Sequence, residues 1–580
     1  MKQIIYTMIA LFLLVSCNQS EKKENTAQTE KPLNVLLLVG DDIAFGDLGI
    51  YGSEIKTPNF DRLADAGIRF SNFHASPVCS VTRSMLLTGC NNIEIGLGSF
   101  DYSFYPDSKG KPGYEGYLTD NAVAITQLFK DEGYEVCKVG KWHLGGEAAG
   151  GRGPLEWGFT KEFGILSGGS NHWNNLRMTP DFSDPDYMNK KFEEHWTLNG
   201  EKYERPEGIY SGELYTNQML EFIKAAQSQD KPWFSYMAFT TAHFPIQAPP
   251  ELIEKHYQFY LDKGYEGLKQ FRYERLKMNG LISEMADPSP ENDLVKKWAE
   301  LSQEEKEYQA KVFATYAAEI EDQDNRIGQV LDYLKESGQL DNTLIVYVSD
   351  NGPEGMEAEN PKTGNQDFGK WIANNYDTSF EAIGTANSSN YIGTSWANAA
   401  TGGLSWWKWF IGEGGVRVPM VIVPPGAMNN KYERAGEISN VVMSVKDIPM
   451  TILDYAGIAH PGAKYNGKDV VAPTGISARS FLDGNTDHVR TDADWYAFEL
   501  FGNGYLMKGN YKLMKVRKGM FGDGEWHLYN VVEDPSESIP LEEDFPDMYN
   551  EMLVLYNAYA AKHQLVEVAE DWNAFKAASE

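Results

Sequence analysis

Apolar positions along this chain fall into two spacings. Residues 34–39 are apolar at almost every step and end in Gly40-Asp41-Asp42, and residues 135–139, 233–239, 343–349 and 416–423 repeat the pattern. Runs of that length, closed by glycine or polar residues, predict strands buried on both faces of a parallel sheet. Between them the apolar spacing lengthens to three and four. Thr57-Pro58-Asn59 opens a short amphipathic helix over 60–66, residues 122–132 form another that stops at Gly133, and residues 304–336 a long one that stops at Gly338.

Strands alternating with helices predict an α/β fold, a large mostly parallel sheet sandwiched by helices. After residue 485 short runs at 496–500, 504–507, 511–516 and 525–529, separated by Gly and Asp, predict a small antiparallel sheet, followed by a packed helix over 546–562. Segments 97–121 and 354–405, rich in Gly, Asn, Ser and aromatics, read as long ordered loops of the kind that serve a binding site. The first residues have a different pattern. Lys2, an apolar run over 4–15 and Ser16-Cys17 form a stretch too short to span a bilayer, which reads as an export signal. Leu14-Val15-Ser16-Cys17 is similar to a bacterial lipobox, in which the cysteine carries the lipid. The expected organisation is a lipoprotein signal peptide (1–17), a polar tether (18–31), a catalytic domain (32–485) and a small α+β subdomain (486–580). The expected address is the periplasm or an outer-membrane anchor through Cys17.

Charge changes the picture in one respect. With 52 basic and 83 acidic residues the net charge is −31, which argues against nucleic-acid partners and leaves any anionic substrate dependent on a local positive pocket. Of the four cysteines, Cys17 is assigned to the anchor and Cys79 to chemistry, and Cys90 and Cys137 are expected buried and unpaired.

The candidate chemistry clusters at predicted strand ends, where ligands of open α/β sheets collect. Asp41 and Asp42 end one strand and Asp350 and Asn351 another, together a hard, oxygen-only set suited to calcium or magnesium. Cys79 opens a helical run with Arg83 one turn later on the same face. A helix start welcomes an anion and favours a thiolate, so the pair reads as a nucleophile beside a guanidinium clamp. Lys141 and His143, two apart after a strand, combine a fixed cation with an imidazole, and His243 follows a third strand. Lys408 stands five residues ahead of Glu413-Gly414-Gly415-Val416-Arg417-Val418-Pro419. His172, Trp173 and tryptophans 406, 407 and 409 are candidates for a ring-binding pocket, with core packing as the competing reading for the tryptophans.

These motifs together resemble the type I, formylglycine-dependent sulfatases of the alkaline-phosphatase-like superfamily, nearest their bacterial arylsulfatase branch. The resemblance runs from Pro32 to the last helix. It implies oxidation of Cys79 to formylglycine by a maturation enzyme, the hydrate serving as nucleophile and metal ligand. Asp41, Asp42, Asp350 and Asn351 would complete a calcium site. Arg83 would hold the formylglycine hydroxyl, and Lys141 and Lys408 the sulfate oxygens. His143 would assist breakdown of the sulfated intermediate, and His243 would protonate the leaving alcohol. The implied substrate is an aryl, alkyl or carbohydrate sulfate ester, a sulfated glycan among them. A phosphodiesterase or phosphonate monoester hydrolase of the same superfamily is the alternative enzyme, and an inactive surface protein that binds sulfated glycans the alternative outside catalysis. One position departs from the family pattern: Val81 stands where proline or alanine is usual, in the region read during maturation.

Overall fold

The computed structural model describes residues 31–577 apart from 101–102, 106, 146–151, 361 and 430–431. The expected signal peptide and nearly all of the tether therefore lie outside the described residues. Leu33–Glu580 forms one compact unit, so the change of texture near residue 485 marks a second sheet rather than a detached body.

Ten strands make the large sheet. Their spatial order is Glu437–Ser439, Ile68–Phe70, Met420–Val423, Thr343–Ser349, Asn34–Gly40, Trp233–Ala238, Glu135–Lys141, Lys161–Ile165, Trp196–Leu198 and Glu201–Lys202. The central strands are parallel and wholly buried, as their unbroken apolar runs require. Register matters more than strand count. Gly40 pairs with Ser349, and Ala238 pairs with both Val39 and Gly140. Four strands thus end at one level, and the polar residues that follow them emerge at one edge.

Two expectations are corrected. The strand placed at 416–423 is only Met420–Val423 and runs antiparallel to Thr343–Ser349, because Glu413–Val416 forms a helical turn and Pro419 has no N–H for a ladder. The segment 354–405 is not all loop, since it holds helices Gln366–Asn375 and Gly393–Ala400. Helices Ser211–Ser228 and Pro250–Met278 are also present, the latter packed along Gln303–Glu336. That long helix starts where Ser302 and Glu305 exchange capping hydrogen bonds, Glu305 N–H to Ser302 Oγ at 3.2 Å and Ser302 N–H to Glu305 Oε2 at 2.7 Å.

The C-terminal sheet is as expected, with antiparallel strands Trp495–Leu500, Asn503–Lys508, Tyr511–Lys515 and Trp526–Asn530 in sequence order. Alternation divides its side chains: Ala497, Leu506, Leu513 and Leu528 pack under helix Pro546–His563, while Phe498, Tyr505 and Met514 join the main core. A buried ion-pair network joins the two sheets. Lys512 Nζ lies 2.8 Å from Glu413 Oε1 and 2.7 Å from Glu537 Oε1, and donates to the Ile411 carbonyl at 2.7 Å. Lys512→Met leaves buried Glu537 without a cation and takes one partner from Glu413, which keeps His74 and Arg417, and should cost about 3–5 kcal/mol. A lower urea midpoint, partly restored by adding Glu537→Gln, is the expected result, and unchanged stability would show that the network contributes nothing.

Candidate active site

Cys79 is the first residue of helix Cys79–Thr88, entered from Val78 in extended conformation (φ −144°, ψ 136°). Its Sγ lies 3.1 Å from His143 Nδ1. One turn on, Arg83 forks onto Asp350, with Nε and Nη2 donating to Oδ2 at 2.9 and 2.7 Å, and Nη2 is 3.7 Å from Asp41. Lys141, the last residue of its strand, puts Nζ 2.9 and 2.8 Å from the two oxygens of Asp41. Lys408 Nζ meets the Asp42 carboxylate at 2.8 Å and Glu354 Oε2 at 3.1 Å. His243 Nδ1 engages the Phe244 carbonyl at 2.7 Å, leaving Nε2 3.8 Å from Asp42.

Every predicted catalytic and metal-site residue therefore converges on one buried point. Ligand atoms of Asp41, Cys79 and Asp350 lie within 4.8 Å of one another, and so do those of Asp41, Asp42 and His243. Asn351 donates through Nδ2 to Asp42 at 2.6 Å and to the Gly352 carbonyl at 2.8 Å. Its Oδ1 is buried with no protein donor. A carbonyl oxygen without a partner beside three carboxylates suits a hard cation, which needs acceptors and no donors.

Backbone close approach builds the point. Gly140 has φ +90°, and a Cβ there would sit 1.7 Å from the Ala238 carbonyl oxygen, so only glycine lets Lys141 close against the neighbouring strand. A Cβ on Gly414 would lie 2.1 Å from the Trp406 carbonyl, which explains the Gly pair ahead of Arg417: it seats the segment that carries Lys408. Asp42 and His143 are themselves held left-handed, at φ 59° and 57°, a strain non-glycine residues bear mostly at functional sites.

Burial dominates the electrostatics. It raises the Asp41 carboxyl to about 6 against the pull of Lys141, and the Asp42 carboxyl to about 8 against Lys408. Asp350 is equally buried, but Arg83, Lys141 and Lys408 outweigh burial and hold it below the usual range. Burial, then Lys141 and Arg83, pushes His143 well below its ordinary value, and burial, then Lys408 and Lys141, does the same to His243. The expected ease of ionising Cys79 is not found. Burial raises the thiol to about 11, more than Lys141 and Lys408 lower it.

Glu354 escaped the sequence reading, although it stands only four residues past Asp350. It anchors Lys408 and accepts from Trp409 Nε1 at 3.2 Å. The pocket candidates divide. Trp407 and Trp409 are buried packing, and Trp406 is half-buried at a separate cavity of about 490 Å³ that also includes Asn398 and Glu537. His172 is buried against Ser211 Oγ at 2.7 Å and stacks on Tyr210. Trp173 borders a cavity of about 400 Å³ with Thr385 and Glu207. Cys90 and Cys137 are buried and free, as expected.

Comparison with known proteins follows the same lines. The family model described as Sulfatase matches residues 33–458. An uncharacterized sulfatase of Schizosaccharomyces pombe is 37% identical over 558 residues, covering 94% of this chain and 96% of its own. An arylsulfatase of Klebsiella aerogenes is 35% identical over 459 residues, 78% of this chain and 92% of its own. Among solved structures, Ps i-CgsB in complex with k-i-k-neocarrahexaose superposes with a TM-score of 0.61 at 22% identity, covering 93% of this chain and 95% of that one.

Proposed function

The chain belongs to the sulfatase family and is a sulfuric ester hydrolase, and on that premise we propose that it acts through formylglycine made from Cys79, beside calcium held by Asp41, Asp42, Asp350 and Asn351. The observation that carries this reading is the placement of one helix-opening cysteine within 4.8 Å of Asp41 and Asp350, ringed by Arg83, Lys141 and Lys408. Calcium would supply the hard positive charge that orients and polarises the sulfate, and the formylglycine hydrate the attacking hydroxyl.

The remaining work falls to the chain's own side chains. Arg83, already fixed on Asp350, keeps Nη1 buried and unpartnered, which supports its role as the clamp on the residue-79 hydroxyl. Lys141 and Lys408 share their ammonium protons between carboxylates and the sulfate oxygens, so charge moving toward the leaving oxygen meets fixed cations. His143, 3.1 Å from position 79, is placed to take the proton of the hydroxyl that later expels sulfate.

Charge selects the ester. Arg83, Lys141 and Lys408 face Asp41, Asp42, Asp350 and Glu354, one negative charge in excess. A divalent cation turns that into one positive charge, which a sulfate monoester neutralises and a phosphate monoester dianion overshoots. Phosphonate monoesters carry the same single charge and are the second reading; faster turnover of a phenylphosphonate ester than of the matching aryl sulfate would promote it. The natural substrate is proposed to be a sulfated glycan, a reading supported by the saccharide bound to Ps i-CgsB.

His243 is proposed as the general acid. Burial first, then Lys408 and Lys141, holds its pKa down, and a bound sulfate would offset the two lysines and so favour the protonated imidazole. His243→Ala should therefore slow hydrolysis of an alkyl or sugar sulfate by ~10²–10⁴-fold and of nitrophenyl sulfate far less, because nitrophenolate leaves unprotonated. Equal losses on both substrates would make His243 a sulfate ligand instead. Export and lipidation at Cys17 remain part of the proposal, supported by the sequence pattern at 1–17. Fractionation of a Cys17→Ala strain should move the protein from membranes to the soluble fraction, and persistent membrane association would refute that anchor.

A further inference from the structure

Against the chain's net charge of −31, one cavity gathers basic side chains. It has a volume of about 360 Å³, and Lys446, Arg490 and Lys562 line it with Asn91, Thr474 and Trp495. His563 and Asp494 complete its charged lining. It is distinct from the catalytic point. A Cβ on Gly89, just past the last turn of helix Cys79–Thr88, would lie 3.4 Å from the Lys446 carbonyl oxygen. Ten residues of helix set that end roughly 15 Å from Cys79.

The cations there are not equally matched. Arg490 forks onto Asp447, Nη1 to Oδ2 at 2.5 Å and Nη2 to Oδ1 at 2.6 Å. Lys562 and His563 share Glu94 at 3.5 and 3.6 Å. Asp494 caps its own turn by accepting from Thr491. Lys446 alone has no carboxylate partner. It is 3% exposed, its Nζ donates to Thr474 Oγ1 at 3.1 Å, and it forms no ion pair among the described residues. Burying an ammonium without a directly paired carboxylate is costly, and burial first and Arg490 second lower the Lys446 pKa to about 8 although Asp447 and Glu94 pull it upward. An anion in the cavity would supply the missing charge. At the rim Trp495, 37% exposed, offers an aromatic face, and Asn91 and Thr474 offer polar groups spaced along the wall. Trp495 opens the edge strand of the C-terminal sheet.

We propose that this cavity is a second saccharide site, in which Lys446 and Arg490 receive the sulfate group of a sulfated sugar whose ring lies against Trp495. The site would hold a sulfated glycan while another of its esters occupies the catalytic point. The choice of sulfate over carboxylate rests on the sulfatase reading. Binding to this cavity does not, so the two can fail separately.

The test is calorimetric titration of the full-length Cys79→Ala protein, which cannot consume its ligand, with galactose 6-sulfate, galactose and inorganic sulfate. The Cys79→Ala, Lys446→Met protein should bind one equivalent of galactose 6-sulfate fewer, or bind it ~10-fold or more weakly at that step. Trp495→Ala, a change at an exposed position, should weaken galactose 6-sulfate ~3- to 10-fold and leave inorganic sulfate unaltered. In the chain that retains Cys79, Lys446→Met should leave aryl sulfate turnover unchanged. The same number of equivalents at unchanged affinity in parent and Lys446→Met would overturn the site. Binding of inorganic sulfate as tight as that of galactose 6-sulfate, or of galactose without sulfate, would overturn its assignment to a sulfated sugar.

Discussion

Cys79→Ala should lower turnover of an aryl sulfate by at least ~10⁴-fold, the scale of loss when a nucleophile is removed from a site that keeps its electrostatic groups. Nothing else at that position can attack sulfur: the nearest side chain, His143, is fixed on residue 79 itself, and the neighbouring carboxylates are tied to cations. The fold should survive, because the change removes one buried atom from a helix whose other nine residues are also buried and whose Arg83 remains paired with Asp350. A thermal midpoint close to that of the parent, with activity gone, is the expected pair of results. The active protein should in turn give a peptide around residue 79 lighter than its thiol form by about 18 mass units, the thiol-to-aldehyde change. Comparable turnover by Cys79→Ala, or an active enzyme whose peptide has the thiol mass, would end the formylglycine mechanism.

Exhaustive chelation should abolish turnover, and calcium should restore it better than magnesium. The reason lies in how the carboxylates are shared. Asp41 holds Lys141, and Asp42 holds Lys408, so without a divalent cation both lysines remain committed to aspartate and neither is free for sulfate. The same pairs balance the buried charge, so the chelated protein should stay folded. Proton competition adds a pH signature. Asp41 and Asp42 titrate at about 6 and about 8, both raised by burial, and a cation binds the deprotonated forms. Calcium affinity should therefore fall as pH drops from 8 to 6, by up to ~10-fold per unit for each proton displaced. Full activity after verified metal removal would refute the metal role, and a calcium requirement independent of pH would refute the sharing.

Much of this site is legible in the sequence because its parts are local. Acid pairs directly after unbroken apolar runs announce strand ends, and a parallel sheet brings such ends together, so Asp41, Asp42, Asp350 and Asn351 could be grouped from spacing alone. The pairing among them could not. Which aspartate receives Lys141 and which Lys408 depends on long-range register, and Glu354 is an ordinary loop acid until Lys408 arrives from a distant segment. The thiol of Cys79 misled for the opposite reason. Local rules favour ionisation at a helix start, whereas complete desolvation by the whole fold wins. Among the elements, Pro250–Met278 is obscured because its buried stripe mixes aliphatic Ile253, Leu268 and Leu276 with Tyr260, Tyr265 and Arg272 and is kinked at Gly264. The strand at 416–423 was overextended because Val416 and Val418 are apolar for the core, not for a ladder.

Every residue of helix Cys79–Thr88 is buried, Val81 completely. On the proposed conversion of Cys79 to formylglycine, an enzyme that grips this stretch as an extended strand would have no access to it once the sheet has closed around it. The window for making the aldehyde is thus the interval between synthesis and folding, and the yield of active protein is a contest between two rates. Valine at 81 weighs on both, as a residue the maturation enzyme reads and as a core side chain whose burial drives the helix into place. On that proposal, activity per molecule would rise in variants of the same core that fold more slowly.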